Sequence, residues 1–394
     1  MPASKQVLQL TSLRFFAGLW IVLFHAAPAY VMGAPSWFRN MVIGGYAGTT
    51  LFFVLSGFVL AYRYVPDASK LEPKRFWMGR FARLYPAYAV GLLVSLPMLL
   101  QEMAATDPSG RGSLFAALFL APTMMQSWFP AVATRWNTPA WSLSTIGLFY
   151  VLFPFAISWV ASRRRESLMR WGLALLVFAL AWPVAYMFLR PDGFTEYNIT
   201  TSSLQMNVLK FNPLARLPEF IIGMLLGRMY LERRTESRKF GAALTLLAIT
   251  LLLVMLAPSI QLPYPLLHNG LLIPVVGLLI YGVAVGGWPA RLLAASPFVR
   301  LGQGSFSLFV LHYPLWHWVN AADRGLGLNW SSSLLFLVGY VALAFAVAIV
   351  SYHWIEVPMR KLISSRLGLG TGVPKERKTR EQASTAEPTL VYGD

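Results

Sequence analysis

The sequence predicts an all-α polytopic membrane protein of about ten transmembrane helices, with both termini cytoplasmic and no fused soluble domain. Three observations predict it. Of 394 residues, 56% are hydrophobic and only 12% charged, about half the charge a soluble domain carries. Apolar stretches near twenty residues long, enough to cross roughly 30 Å of hydrocarbon, recur along the chain. The net charge of +17 is gathered into short clusters between those stretches, as topology signals are, and not into a nucleic-acid-binding face.

The first stretch, 12–32, follows Lys5 and is too long for a signal-peptide core, with no small-residue cleavage site after it. Further spans are expected at 43–63, 85–101, 141–161, 171–189, 213–230, 240–257, 268–286, 304–320 and 333–355. An eleventh apolar stretch, 114–129, is short and contains Pro122. Charge decides that it does not cross. With ten spans, 26 of the 33 Lys and Arg fall on the side of Lys5 and 7 on the other, which makes that side cytoplasmic. The opposite side then carries 33–42, 102–140, 190–212, 258–267 and 321–332. The membrane domain is expected to occupy 1–361, and the polar tail 362–394 is expected to be disordered. No cysteine is present, which excludes disulfides, thiolate metal sites and a cysteinyl acyl-enzyme. No His or carboxylate spacing predicts a metal site.

Ionisable groups inside spans cost at least about 2.5–3.5 kcal/mol each and are functional candidates by default. His25 follows Arg14 by eleven residues, three turns plus about 20°, so the two share a helix face about 16 Å apart. Phe52-Phe-Val-Leu-Ser56-Gly57-Phe58 places two small residues where helices can approach closely, and packing is the better reading of them. Arg75, Arg80 and Arg83 lie just before the third span, where Arg80 and Arg83, one turn apart, can clamp phosphates or anchor lipid headgroups. Glu219, in Arg216-Leu-Pro-Glu219-Phe220, and Glu356, in Tyr352-His-Trp-Ile-Glu356-Val-Pro358, each read as half of a structural ion pair. His312, in Leu311-His312-Tyr-Pro314, reads as helix-end packing. His268, His317 and His353 carry no special signal.

Taken together, these segments resemble the integral-membrane acyltransferase-three family, which decorates bacterial O-antigens, exopolysaccharides, nodulation factors and some macrolides. The resemblance rests on an ordered set: Ser12-Leu-Arg14 with His25, Phe52–Phe58, Arg80-Phe-Ala-Arg83-Leu-Tyr-Pro86, Asn137-Thr-Pro-Ala-Trp141-Ser142-Leu-Ser144 with Phe149-Tyr150, Arg216–Phe220 with Gly223, Leu301–Ser307 with His312-Tyr-Pro314, and Ile355–Pro358. It covers residues 11–360. It implies ten core helices in the bacterial inner membrane. It also implies transfer of an acyl group, commonly acetyl, from cytoplasmic acyl-coenzyme A (acetyl-CoA) to a hydroxyl of a carbohydrate or glycoconjugate, or of a macrolide or other small hydroxylated molecule.

On that resemblance His25 is the essential base or acyl carrier with Arg14. Arg80, Arg83 and Arg75 hold the coenzyme, and Ser56, Trp141, Ser142, Ser144, Glu219, His312 and Glu356 support the site. No metal is implied. Two positions depart from the family pattern: Thr11 and Ser12 stand where an acidic residue is common, and Ile146 where a glutamate usually follows the Trp-Ser-Leu-Ser block. Two other readings stay open. Arg14 and His25 can line a transporter's or flippase's path, or Ile146 marks a catalytically impaired member.

Overall fold

The computed structural model describes residues 7–232, 236–257 and 262–368. The tail expected from residue 362 onward therefore lies, from residue 369, outside the described residues. Among the described residues every regular element is helical. In chain order they are α1 (Leu8–Ala26), α2 (Ser36–Ile43), α3 (Ala47–Tyr64), α4 (Pro73–Ala105), α5 (Gly112–Leu120) and α6 (Trp141–Ser162). Then follow α7 (Arg165–Leu189), α8 (Leu204–Phe211), α9 (Pro213–Glu232), α10 (Arg238–Met255), α11 (Tyr264–Leu266) and α12 (Ile273–Val285). The chain continues through α13 (Trp288–Leu293), α14 (Ser296–Gln303), α15 (Ser305–Gly325), α16 (Leu334–Ser351) and α17 (Val357–Arg366).

Each of the ten expected spans coincides with a long helix, or for 268–286 with the bent pair α11–α12. Seven helices are long and apolar enough to cross a bilayer by themselves, or eight when the pair bent by 45° between Tyr264–Leu271 and Ile273–Val285 is one span. α9 and α15 fall outside that set: the first carries Arg216, Glu219 and Arg228, the second two histidines, Asp323 and Arg324. The chain is a polytopic, all-α membrane protein. Its outer surface fits that description, for α7 and α16 present Phe188, Leu189 and Leu335 at 70–87% exposure, a surface that water would not tolerate over such lengths.

Two boundaries differ from expectation. The first span was expected to run to 32, but α1 stops at Ala26 and a tight turn, Pro28–Val31, follows. Pro28 has no N–H to bond the preceding turn, and its ring crowds the carbonyl four residues back. His25 consequently sits in the last turn of its helix. At the other end of the chain, α17 runs through the expected 361/362 boundary to Arg366, restarted by Pro358 near its N-terminus. Within the stretch expected not to cross, α5 has nine residues, about 13 Å of helix. The rest of 121–140 folds back onto the bundle, tied by Tyr88 Oη to the Ala121 carbonyl (2.6 Å), Gln126 Nε2 to the Ala140 carbonyl (2.9 Å) and Ser127 Oγ to the Trp141 carbonyl (2.6 Å).

α3 and α9 form the most extensive helix pair, and glycine makes it possible. A Cβ on Gly57 would lie 2.0 Å from the Phe220 carbonyl oxygen, and one on Gly223 would lie 2.1 Å from that of Val54. With Gly227 also facing α3, the seam is a small-xxx-small contact of the kind that lets membrane helices meet backbone to backbone. Gly57 is thus a packing residue, as expected. Its neighbour Ser56 points elsewhere.

Candidate functional site

One end of the bundle contains a cavity of about 430 Å³ into which α1, α3, α4, α6, α15 and the α16–α17 junction all contribute. Its charged lining is Arg14, Arg63, Arg80, Arg83 and Arg360 against a single carboxylate, Glu356. Arg14 and the α4 pair Arg80 and Arg83, expected from the sequence, are therefore brought together. Arg63 and Arg360 were not expected; each sits at the end of its helix and reads, in sequence, as an ordinary topology charge. Arg75 lies outside this arrangement: it is exposed and does not line the cavity, because α4's 3.6-residue repeat turns it away from the face shared by Arg80 and Arg83.

Arg80 is held by its surroundings. Its Nη2 donates to Tyr64 Oη at 3.3 Å, and its guanidinium lies 5.2 Å from the Phe76 ring and 5.8 Å from the Tyr150 ring. Its buried Nε has no partner. Glu356 accepts from Ser307 Oγ at 3.2 Å and makes no ion pair within 4 Å among the described residues, so the structural ion pair expected for it is corrected. A widened turn, Tyr352–Glu356, carries it into the cavity. Pro358 explains the widening, since it cannot donate to the turn before it and the backbone expands there. Ser56 and Ser142 also line the cavity, as does Ile146, so an apolar side chain occupies the wall where the resemblance implies a carboxylate.

The inner end of the cavity is apolar, made by Phe52, Leu143, Ile146, Phe306 and Phe309. Phe52 and Phe309 meet edge to face at 5.8 Å. One turn beyond Phe309, on the same helix, stands His312. It is buried and lies against His25, with His312 Nε2 3.2 Å from His25 Nδ1. The reading of His312 as helix-end packing is corrected: it lies eight residues into α15, beside the first-helix histidine. Only assembly of α1 against α15 could reveal this, because the two residues are 287 positions apart.

Protonation follows from the neighbours. His312 Nδ1 faces the carbonyls of Phe309 (2.9 Å) and Leu308 (3.1 Å), and His25 Nδ1 faces the Ile21 carbonyl at 2.9 Å. Carbonyls only accept, so both Nδ1 atoms carry hydrogen in the neutral rings. His25 Nδ1–H is then shared between Ile21 O and the lone pair of His312 Nε2. The free lone pair of His25 is on Nε2.

His25 is half-buried and lines neither this cavity nor the one opposite. On the arginine side its partner His312 meets Phe309 of the cavity wall, with ring centres 6.1 Å apart, and on the other side Tyr313, with its ring 5.5 Å away, separates it from a second cavity of about 420 Å³ at the other end of the bundle.

The remaining expected residues, Glu219, Trp141 and Ser144, lie in buried contacts and do not line this cavity. Glu219 pairs with Arg216 at 2.9 Å, both nearly inaccessible. Arg216 also reaches Thr50 Oγ1 and Asn269 Oδ1 (each 3.1 Å), His268 Nδ1 (3.2 Å) and the His268 carbonyl. Trp141 packs against Arg216 and Phe211, and Ser144 Oγ accepts from the Ser127 N–H at 3.4 Å. His268, silent in the sequence, belongs to this buried cluster.

A family model described as "Acyltransferase domain" matches residues 7–353. Among curated proteins, the chain is 27% identical to acyltransferase MdmB of Streptomyces mycarofaciens, over 94% of this chain and 96% of that protein. It is 23% identical to O-acetyltransferase OatA of Staphylococcus aureus, over 89% of this chain, and 24% identical to peptidoglycan O-acetyltransferase OatA of Listeria monocytogenes, over 91%. It spans just over half the length of those two, 57% and 56%. No solved structure matches the chain.

Proposed function

Because the chain belongs to the integral-membrane acyltransferase-three family, we propose that it is a membrane O-acyltransferase that moves an acyl group, acetyl in the simplest case, from acyl-coenzyme A to an acceptor hydroxyl. The observation that carries this reading is the His25–His312 pair standing one aromatic ring beyond a cavity that holds five arginines and one carboxylate.

The arginine end is cytoplasmic on the charge bias of the loops, in a ten-span arrangement within the bacterial cytoplasmic membrane. Coenzyme A presents three phosphate groups to Arg80, Arg83, Arg63 and Arg360, with Arg14 deeper. Guanidinium forks suit phosphate oxygens. The pantetheine arm extends past Ser56 and Ser142 to Phe52 and Phe309, which must part for the thioester to reach the histidines.

The acceptor hydroxyl gives its proton to Nε2 of His25 as its oxygen attacks the thioester carbonyl. The carbon–sulfur bond breaks, and the departing thiolate takes a proton back from the imidazolium, so charge and protons balance. His312 holds the productive tautomer through the shared Nδ1–H and is a positioning residue. General-base help of this kind is worth about 10²–10⁴-fold.

The test incubates purified protein in lipid nanodiscs with radiolabelled acetyl-coenzyme A and an extract of candidate acceptors. Transfer should fall by at least ~10²-fold in His25→Ala while the variant inserts and elutes normally; near-normal turnover in that variant would end the proposal. A transport reading keeps one supporting observation, a cavity on each side of the histidine pair, and predicts vesicle uptake of substrate without release or transfer of label.

A further inference from the structure

The cavity at the opposite end has walls of a different chemistry. α15 supplies Tyr313, His317 and Arg324, on one face by their spacing of four and seven residues. α4 supplies Gln101 and Glu102, and the folded-back segment before α6 supplies Trp136. Trp136 is half-buried in this wall and presents its ring to the cavity. Tyr313 is both floor and connection: its ring meets His317 at 4.7 Å on one side and His25 at 5.5 Å on the other.

The charges leave one cation over. Glu102 and Arg135 neutralise each other at 3.2 Å. Arg324 has no ion-pair partner among the described residues, and the carboxylate beside it in sequence does not serve. Asp323 is buried and turned to the following loop, where it accepts the backbone N–H groups of Trp330 (2.9 Å) and Ser331 (3.0 Å).

We propose that this cavity is the acceptor site and that it takes a pyranose bearing an acidic substituent. The sugar's C–H face would lie against Trp136, its hydroxyls would meet Gln101 and Glu102, and the acidic group would meet Arg324. The reacting hydroxyl then enters past Tyr313 toward Nε2 of His25. The acceptor role rests on the acyl-transfer reading; the binding chemistry does not.

Methyl β-D-glucuronide and methyl β-D-glucoside differ only in the C6 carboxylate and serve as probes, with binding to the full chain in nanodiscs followed by saturation-transfer NMR. The glucuronide should bind roughly tenfold tighter, the scale of one charge-assisted contact. Arg324→Ala, an exposed change, should erase that preference and leave the glucoside unaffected, while Arg324→Lys restores part of it. Trp136→Ala should weaken both. Equal binding of the two glycosides, no binding of either, or a preference that survives Arg324→Ala would each overturn the site.

The two readings fail separately. Turnover of acetyl-coenzyme A with an acceptor KM unmoved by Arg324→Ala removes the site and leaves the transferase. Arg324-dependent binding in a protein that turns over no acyl-coenzyme A removes the transferase and with it the acceptor role, leaving an acidic-saccharide site.

Discussion

Two regions of this molecule hold buried or half-buried arginines and treat them in opposite ways. Arg216, on α9 against α3, is almost wholly inaccessible, and its two terminal guanidinium nitrogens are surrounded by a carboxylate, a hydroxyl, an amide, a ring nitrogen and a carbonyl. The arginines of the cavity have one carboxylate among five guanidiniums, and among the described residues none of them makes an ion pair within 4 Å. Sequence alone does not separate the two cases, since each is an arginine next to apolar residues. The difference teaches that pairing, not depth, tells structure from function. A satisfied buried charge fixes helix packing, whereas a concentration of unpaired cations around open space marks where an anionic ligand supplies the missing charge.

The comparison breaks most visibly at Arg216. Replacing it with Met leaves Glu219 buried and uncompensated, which should cost about 3–5 kcal/mol, read as a large drop in the thermal midpoint of the detergent-solubilised protein. Adding Glu219→Leu should recover much of that loss, because the pair's removal avoids the orphaned charge. Were Arg216→Met to unfold no more easily than wild type, the structural assignment of this cluster would be wrong.

At the cavity the expected effect is smaller and of another kind. Arg83→Ala should leave the thermal midpoint within about 0.5 kcal/mol of wild type or raise it, since it relieves crowding among cations. The same change should raise the KM for acyl-coenzyme A by about 10–100-fold, the worth of a charge-assisted hydrogen bond. A CoA analogue lacking the 3′-phosphate should narrow the gap between variant and wild type if Arg83 meets that group, and should leave it unchanged if the contact is with the pyrophosphate. The smallest effect belongs to Arg75→Ala. An exposed cation outside the cavity contributes less than about 1 kcal/mol, so KM should move by no more than about twofold. A shift as large as that of Arg83→Ala would mean that the coenzyme extends over the outer face of α4.

How much of the site was legible beforehand follows the same division. Arg14 and His25 were readable as a pair because one helix carries both, and helical periodicity places them on one face whatever the remaining chain does. Arg80 and Arg83 were readable for the same reason. Their neighbour Arg75 was grouped with them by proximity in sequence, and the helical turn separates it. His312 carried no signal beyond its Pro-containing segment. Its place beside His25 comes from α15 lying against α1, a contact across 287 residues. Glu356 was read as half of an ion pair, and a single widened turn ahead of Pro358 delivers it to the cavity with Ser307 as its partner.

By itself the sequence determined the class of molecule. Apolar runs of bilayer length and one-sided clusters of Lys and Arg require a helical membrane bundle, because lipid cannot solvate bare peptide groups or stray charges. It also determined which residues share a helix face. Tertiary structure alone decided which faces meet: that α3 and α9 touch backbone to backbone, that arginines from four helices converge on one space, and that His25 and His312 stand within hydrogen-bond distance of each other. Those outcomes depend on side-chain shape and on partners far apart in the chain, and local periodicity contains no information about either.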